Sequence, residues 1–184
     1  MTYELHVGNV TRHLPVMNIS DDLAIASFVM LGDVELVEES AKLLAERLPE
    51  VDYIVTAEAK GIPLVQEMAR VMGMKRYVVA RKSIKAYMEN IISCSVQSIT
   101  TQKLQTLYLD GKEAELLRGK KIALVDDVIS TGESLRALET LAEQCGAEIV
   151  ARAAVLAEGD AQKRTDIIFL EKLPLFDAKT GKML

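Results

Sequence analysis

The chain has 184 residues, 49% of them hydrophobic and 27% charged, which fits one ordinary globular domain with a sizeable core and leaves no room for a second large one. A formal net charge of -5 excludes a broad basic surface, so no nucleic-acid partner is expected and any anionic ligand has to be met locally. No apolar run approaches the roughly 18 residues that span a bilayer, and the opening Met1-Thr2-Tyr3-Glu4 has neither the basic nor the apolar region of a signal peptide. The expected setting is therefore the cytoplasm, with no membrane contact.

In chain order, the first residues alternate weakly, with Tyr3, Leu5 and Val7 and then Leu14, Val16 and Ile19 as the apolar set, which suits short strands or an irregular hood. His6 and His13 have no acidic or cysteine partner at ligand spacing and read as surface or hydrogen-bonded residues. Helical spacing then runs from Asp33, a candidate cap, through Val34, Val37, Ala41, Leu44 and Leu48 to the stop at Pro49. Val51 to Ala57 is a buried strand. After the tight loop Glu58-Ala59-Lys60-Gly61 comes a second helix, with Pro63 near its first turn and Gly73 past its end. Arg76 to Ala80 is a further β-rich run that ends in Arg81, Lys82 and Lys85. Ser83 to Thr106 is polar and reads as a functional lid or an excursion of short strands, from which Lys103 to Leu109 returns as a strand. Gly111 to Lys121 is a charged surface connection. Ile122 to Val125 is a buried strand running into Asp126-Asp127, a helix follows from Gly132 to Gln144, and Glu148 to Ala157 and Thr165 to Leu170 are later strands. Cys94 and Cys145 lack metal-ligand spacing and read as free thiols.

Strands alternating with helices predict an α/β fold with a mostly parallel sheet and helices on both faces. Ligands of such sheets sit beyond the carboxyl ends of the strands, where three loops converge: Glu58 to Gly61, the basic run from Arg81, and Asp126 to Ser134. In the last of these, Ser130, Thr131, Gly132, Glu133 and Ser134 put small residues at a helix start. Their successive N–H groups can surround a phosphate, and the same residues equally fit a capping box made by Ser130 and Glu133. Adjacent carboxylates at the end of a buried strand repel. Asp126 and Asp127 therefore point to donors such as a sugar diol, with solvated loop acids as the alternative.

The thirteen residues Ile122 to Ser134 resemble the signature of type I phosphoribosyltransferases that binds phosphoribosyl pyrophosphate (PRPP). Glu58 to Leu64 resembles the pyrophosphate loop of the adenine and xanthine enzymes and of their relative, the purine-operon repressor. The resemblance implies one phosphoribosyltransferase domain over residues 1–184, with a hood made by roughly 1–32 and 158–184 and a mobile catalytic loop at roughly 83–106. It also implies that Asp126 and Asp127 hold the ribose hydroxyls as the catalytic acids and that Ser130 to Ser134 cradle the 5-phosphate. Pyrophosphate would be bound by Glu58, Ala59, Lys60 and Gly61, across a cis Glu58–Ala59 peptide, and by Arg81, Lys82 and Lys85. Mg2+ would be carried by PRPP rather than by a protein site, and the chain would form a homodimer.

The implied reaction transfers the phosphoribosyl group to a purine base. Ser95 to Gln102 resembles the xanthine enzymes, yet Glu158-Gly159-Asp160 stands where those enzymes carry a base-contacting lysine. An acidic Glu158 suits a dioxopurine less than lysine does, so adenine is slightly favoured. The alternatives are a xanthine or 6-oxopurine enzyme, a non-catalytic PRPP sensor, or an α/β protein for another phosphorylated ligand. The residues before Val51 are too few and too acidic for the winged-helix domain such a sensor carries, which favours the enzyme.

Overall fold

In the computed structural model, which describes residues 1–97 and 104–184, the N-terminal alternation becomes three antiparallel strands, β1 (Thr2–Val7), β2 (Val10–Asn18) and β3 (Leu23–Ala26). Helix α1 (Val34–Arg47) starts where the sequence places its cap: the Asp33 carboxylate accepts from Leu36 N at 3.1 Å. The same carboxylate takes both arms of Arg12, at 2.6 and 2.8 Å, and Arg12 also reaches Glu35 at 2.8 Å. One guanidinium thus ties β2 to the start of α1, and it holds the Asp33 carboxyl below the usual carboxylate range.

Strand β4 (Tyr53–Ala57), helix α2 (Gly61–Val71) and strand β5 (Val78–Ala80) follow, with Pro63 inside the first turn of α2. The polar stretch after Arg81 is an excursion of short strands: β6 (Ile92–Gln97) and β7 (Leu104–Leu109) pair as an antiparallel ribbon. Residues 98–103, within the expected catalytic loop, lie outside the described residues. The expected surface connection from Gly111 to Lys121 is instead largely helical, as α3 (Gly111–Leu117). Asp110 accepts from Lys112 N as its cap, and Ala114 and Leu117 are buried beneath the charged side chains that mask them in the sequence.

The remaining elements are β8 (Lys121–Ile129), α4 (Glu133–Gln144), β9 (Glu148–Glu158), a 3-10 turn (Gly159–Lys163), β10 (Ile168–Leu173) and β11 (Leu175–Asp177). β10 begins later than the expected Thr165, because Arg164 and Asp166 pair with each other across that position at 2.6 and 2.9 Å.

The five strands β10-β9-β8-β4-β5 form one parallel sheet. Successive strand residues feed two cores, as the side-chain period of two requires. On one face Ile54, Ala123 and Val125 pack with α1 and α2; on the other Val55, Ile122 and Leu124 pack with α4, α3 and the ribbon. A second sheet, β1-β2-β3-β11, joins the two ends of the chain into a hood. β4 and β8 are neighbours paired from Tyr53↔Ile122 to Val55↔Leu124, and β8 then runs on beside β9 as far as Ile129↔Ala157. From β4 the chain proceeds to one edge of the sheet and from β8 to the other, so the crevice beyond Val55 and Leu124 is the topological switch point.

Candidate functional site

The acid pair stands in that crevice. Asp127 is 6% exposed, and its Oδ2 has no hydrogen-bond partner among the described residues; Lys60 Nζ lies 3.9 Å away, too far for a hydrogen bond. Asp126 Oδ1 accepts from Asp127 N at 2.9 Å. Burial, and then the charge of Asp127, push the Asp126 carboxyl up to about 7, against a smaller pull from Lys82. Two carboxylates held this closely in a cleft are left short of donors among the described residues.

Around them lies a cleft of about 300 Å³. Ala57, Glu58, Ala59 and Lys60 line it from the end of β4, Asp126 to Val128, Ser130 and Ser134 from β8 and the loop after it, and Lys82 from the basic run. The Glu58–Ala59 peptide is cis, as the resemblance implies. Gly61, the first residue of α2, stands behind this loop, where a Cβ would lie 2.2 Å from Thr56 Oγ1. That close approach requires glycine.

Glu58 organises the basic run. Its carboxylate accepts from Lys82 N at 2.7 Å, pairs with Arg81 Nε at 2.8 Å without a well-aligned hydrogen bond, and lies 4.0 Å from Lys85 Nζ. Arg81 also bridges to Tyr108 of β7 through both backbone groups at 2.8 Å. Arg81 and Lys85 therefore lean on Glu58 behind the cleft wall, while the Lys82 and Lys60 side chains face the cavity.

A side pocket of about 40 Å³ is shaped by Ser130 to Leu135 together with Asp126, Val128 and Ile129. Its loop ends in Gly132, which is the N-cap of α4 at φ 79 and makes no side-chain cap bond. Gly132, and not Ser130, thus occupies the cap position, and the capping box is not the local structure. A helix start without a side-chain cap, here that of a 12-residue helix, is a geometry in which backbone N–H groups meet anions. Arg164, held by Asp166, packs where a Gly132 Cβ would stand, 3.1 Å away.

The opposite end of the cleft is apolar and was largely missed by sequence reasoning. Ile25, Ala26 and Phe28 enter from β3 and the residue run after it, and Leu173 from the end of β10. Their only signal is the apolar run Leu23 to Phe28, which does not reveal what it faces. Glu158, singled out as a base neighbour, does line this end, and burial raises its carboxyl pKa against the lowering effect of Lys60. His6 pairs with Thr11 and Glu4, both at 2.9 Å, away from the site. Cys94 and Cys145 are free and buried.

An open parallel sheet whose switch point carries an acid pair, a glycine-capped anion loop and a lysine-bearing loop defines an α/β protein built to hold a phosphorylated ligand. The chain belongs to the phosphoribosyl transferase domain family, whose model matches residues 34–176. It is similar to the hypoxanthine/guanine phosphoribosyltransferase of Methanococcus voltae, 35% identical over 141 residues that cover 76% of this chain and 71% of the relative. The enzyme of that name from Methanotorris igneus is 29% identical over 170 residues, 90% of this chain and 86% of that one. Among solved structures, adenine phosphoribosyltransferase from Thermoanaerobacter pseudethanolicus superposes with a TM-score of 0.64 at 24% identity, covering 78% of this chain and 84% of that one. The adenine phosphoribosyltransferase of Rhodothermus marinus gives 0.65 at 19% identity, covering 94% of each. Those two structures establish likeness of fold.

Proposed function

We propose that the protein is a purine phosphoribosyltransferase that moves the 5-phosphoribosyl group of PRPP to a purine nitrogen and releases pyrophosphate. The observation that carries this reading is the single cleft shared by Asp126, Asp127, Ser130, Ser134 and Lys60, with an apolar end at Phe28 and Leu173. A ribose phosphate spans the polar part, and a flat base fits the apolar end.

In this scheme the loop from Ser130 to Ser134 holds the 5-phosphate with N–H groups and hydroxyls. Asp126 and Asp127 accept hydrogen bonds from the ribose 2′ and 3′ hydroxyls, and their negative charge stabilises the cationic ribose of the transition state. Lys60 and Lys82 face the pyrophosphate. Arg81 and Lys85, balanced by Glu58 in this state, add to the local positive potential around it. The buried, unpartnered Asp127 Oδ2 is a hard oxygen acceptor suited to a ribose hydroxyl or a hydrated Mg2+. Mg2+ would be held by the oxygens of PRPP and would neutralise the leaving pyrophosphate.

For the base, the carboxyl of Glu158 at the apolar end supports adenine, whose exocyclic amine donates. The names of the methanogen relatives support a second reading, in which hypoxanthine or guanine is the acceptor. No helix among the described residues is long and apolar enough to cross a membrane, and we place the enzyme in the cytoplasm as a homodimer. Mass-spectrometric assay with PRPP, Mg2+ and each purine base in turn should yield one nucleoside monophosphate together with pyrophosphate. Asp127→Asn should lose at least ~2–3 kcal/mol of transition-state stabilisation. Absence of product with every base would overturn the enzyme reading, and retained PRPP binding in that case would identify a sensor.

A further inference from the structure

Thr56, the penultimate residue of β4, is wholly buried, and its Oγ1 has no hydrogen-bond partner among the described residues. A buried hydroxyl left without a partner costs stability, whereas valine has nearly the same shape and no such cost. Strand propensity does not explain the choice either, because valine suits a buried strand at least as well. The position holds a polar group that the fold itself does not use.

The surroundings identify its partner. A single point above the Gly61 Cα, where a side chain would begin, is 2.2 Å from Thr56 Oγ1 and 3.5 Å from Asp126 Oδ1. The hydroxyl therefore lies where a Gly61 side chain would begin, with the carboxylate close to the same point, and it fits there because residue 61 is glycine. Asp126 Oδ1 already accepts from Asp127 N and retains a second lone pair. Its ionised form is opposed by burial and by Asp127, so a further donor is what this carboxylate lacks.

We propose that Thr56 is a positioning residue for the acid pair, whose hydroxyl turns over Gly61 and donates to Asp126 Oδ1 when the ribose is bound. The proposal rests on the reading of Asp126 and Asp127 as the ribose site. The bond keeps Asp126 ionised and leaves its other oxygen directed at the sugar. The unpartnered hydroxyl of the present state is then a stability cost retained for the bound one.

The test compares Thr56→Val, Thr56→Ser, Asp126→Asn and the double variant Thr56→Val/Asp126→Asn in kcat, KM for PRPP and Tm. Thr56→Val is expected to melt no lower than wild type while kcat falls on the order of tenfold to a hundredfold, the range for a hydrogen bond to a charged group. Thr56→Ser should recover most of that turnover. In the Asp126→Asn background the valine substitution should cost nothing more, since the two act through one bond. Wild-type kcat in Thr56→Val alongside an impaired Asp126→Asn would overturn this proposal alone, as would fully additive losses in the double variant. Wild-type kinetics in Asp126→Asn would overturn the ribose reading and this proposal with it. Should the valine variant not fold, Thr56→Ala serves instead: a loss of turnover not shared by Thr56→Ser supports the role, and equal turnover in the two removes it.

Discussion

Asp126 carries a cost that ought to be measurable as a pH effect on stability. Its carboxyl pKa is raised from the ordinary 3.8 to about 7 by burial and by Asp127, so between those values the folded protein binds a proton that the unfolded chain has released. The stabilising contribution of that proton is complete at low pH and is lost as the pH rises through about 7. Asp126→Asn, which cannot ionise, should therefore melt higher than wild type at pH 8, and the gap should close towards pH 4. Melting curves across that range check the sign, and a gap that widens on acidification would contradict it. Both acids were legible from sequence because the motif is local: an apolar strand, two carboxylates and a small-residue turn follow one another without a break. Thr56 was not, since only the fold shows that Gly61 and Asp126 close over it.

Among the elements, the start of α1 concentrates two functions in one side chain. Asp33 caps the helix and anchors Arg12 of β2, so Asp33→Ala removes both, at a cost of about 1–2 kcal/mol. Asp33→Asn keeps an oxygen for the cap and loses only the charge, so its urea midpoint should fall between alanine and wild type. Equal midpoints for Asn and Ala would show that the ion pair dominates. Most elements were legible because period, cap and stop signals agree, as at Asp33 and Pro49. The exceptions have a common physical cause: α3 is short and coated in charge, so two buried residues, Ala114 and Leu117, carry its whole apolar face. β11 has three residues and is defined by its partner β3, 152 positions away in register at Phe176↔Ala24, where local sequence has nothing to say.

At the scale of the molecule, the parallel sheet was expected, but how the hood closes over it was not. Phe176 of β11 is 3% exposed and meets the Tyr3 ring edge-on at 5.9 Å, joining the two ends of the chain beside β3. Phe176→Ala should cost ~3–5 kcal/mol, a fall in Tm of roughly 6–20 °C. If the hood shapes the base site, the KM for the base should rise more than that for PRPP, and steady-state kinetics would reveal the reverse. The same seam sets an order for biosynthesis. β3 is made early, yet its outer edge stays bare until Leu175–Asp177 has left the ribosome, and an uncovered edge is a place where chains pair with the wrong neighbour. The acid pair and the anion loop can be in place on the nascent sheet well before that moment. Under the proposed function, a chain stalled before residue 175 would hold the residues of the polar cleft and of the apolar wall, but with Leu23–Ala26 behind that wall unsupported along its outer edge.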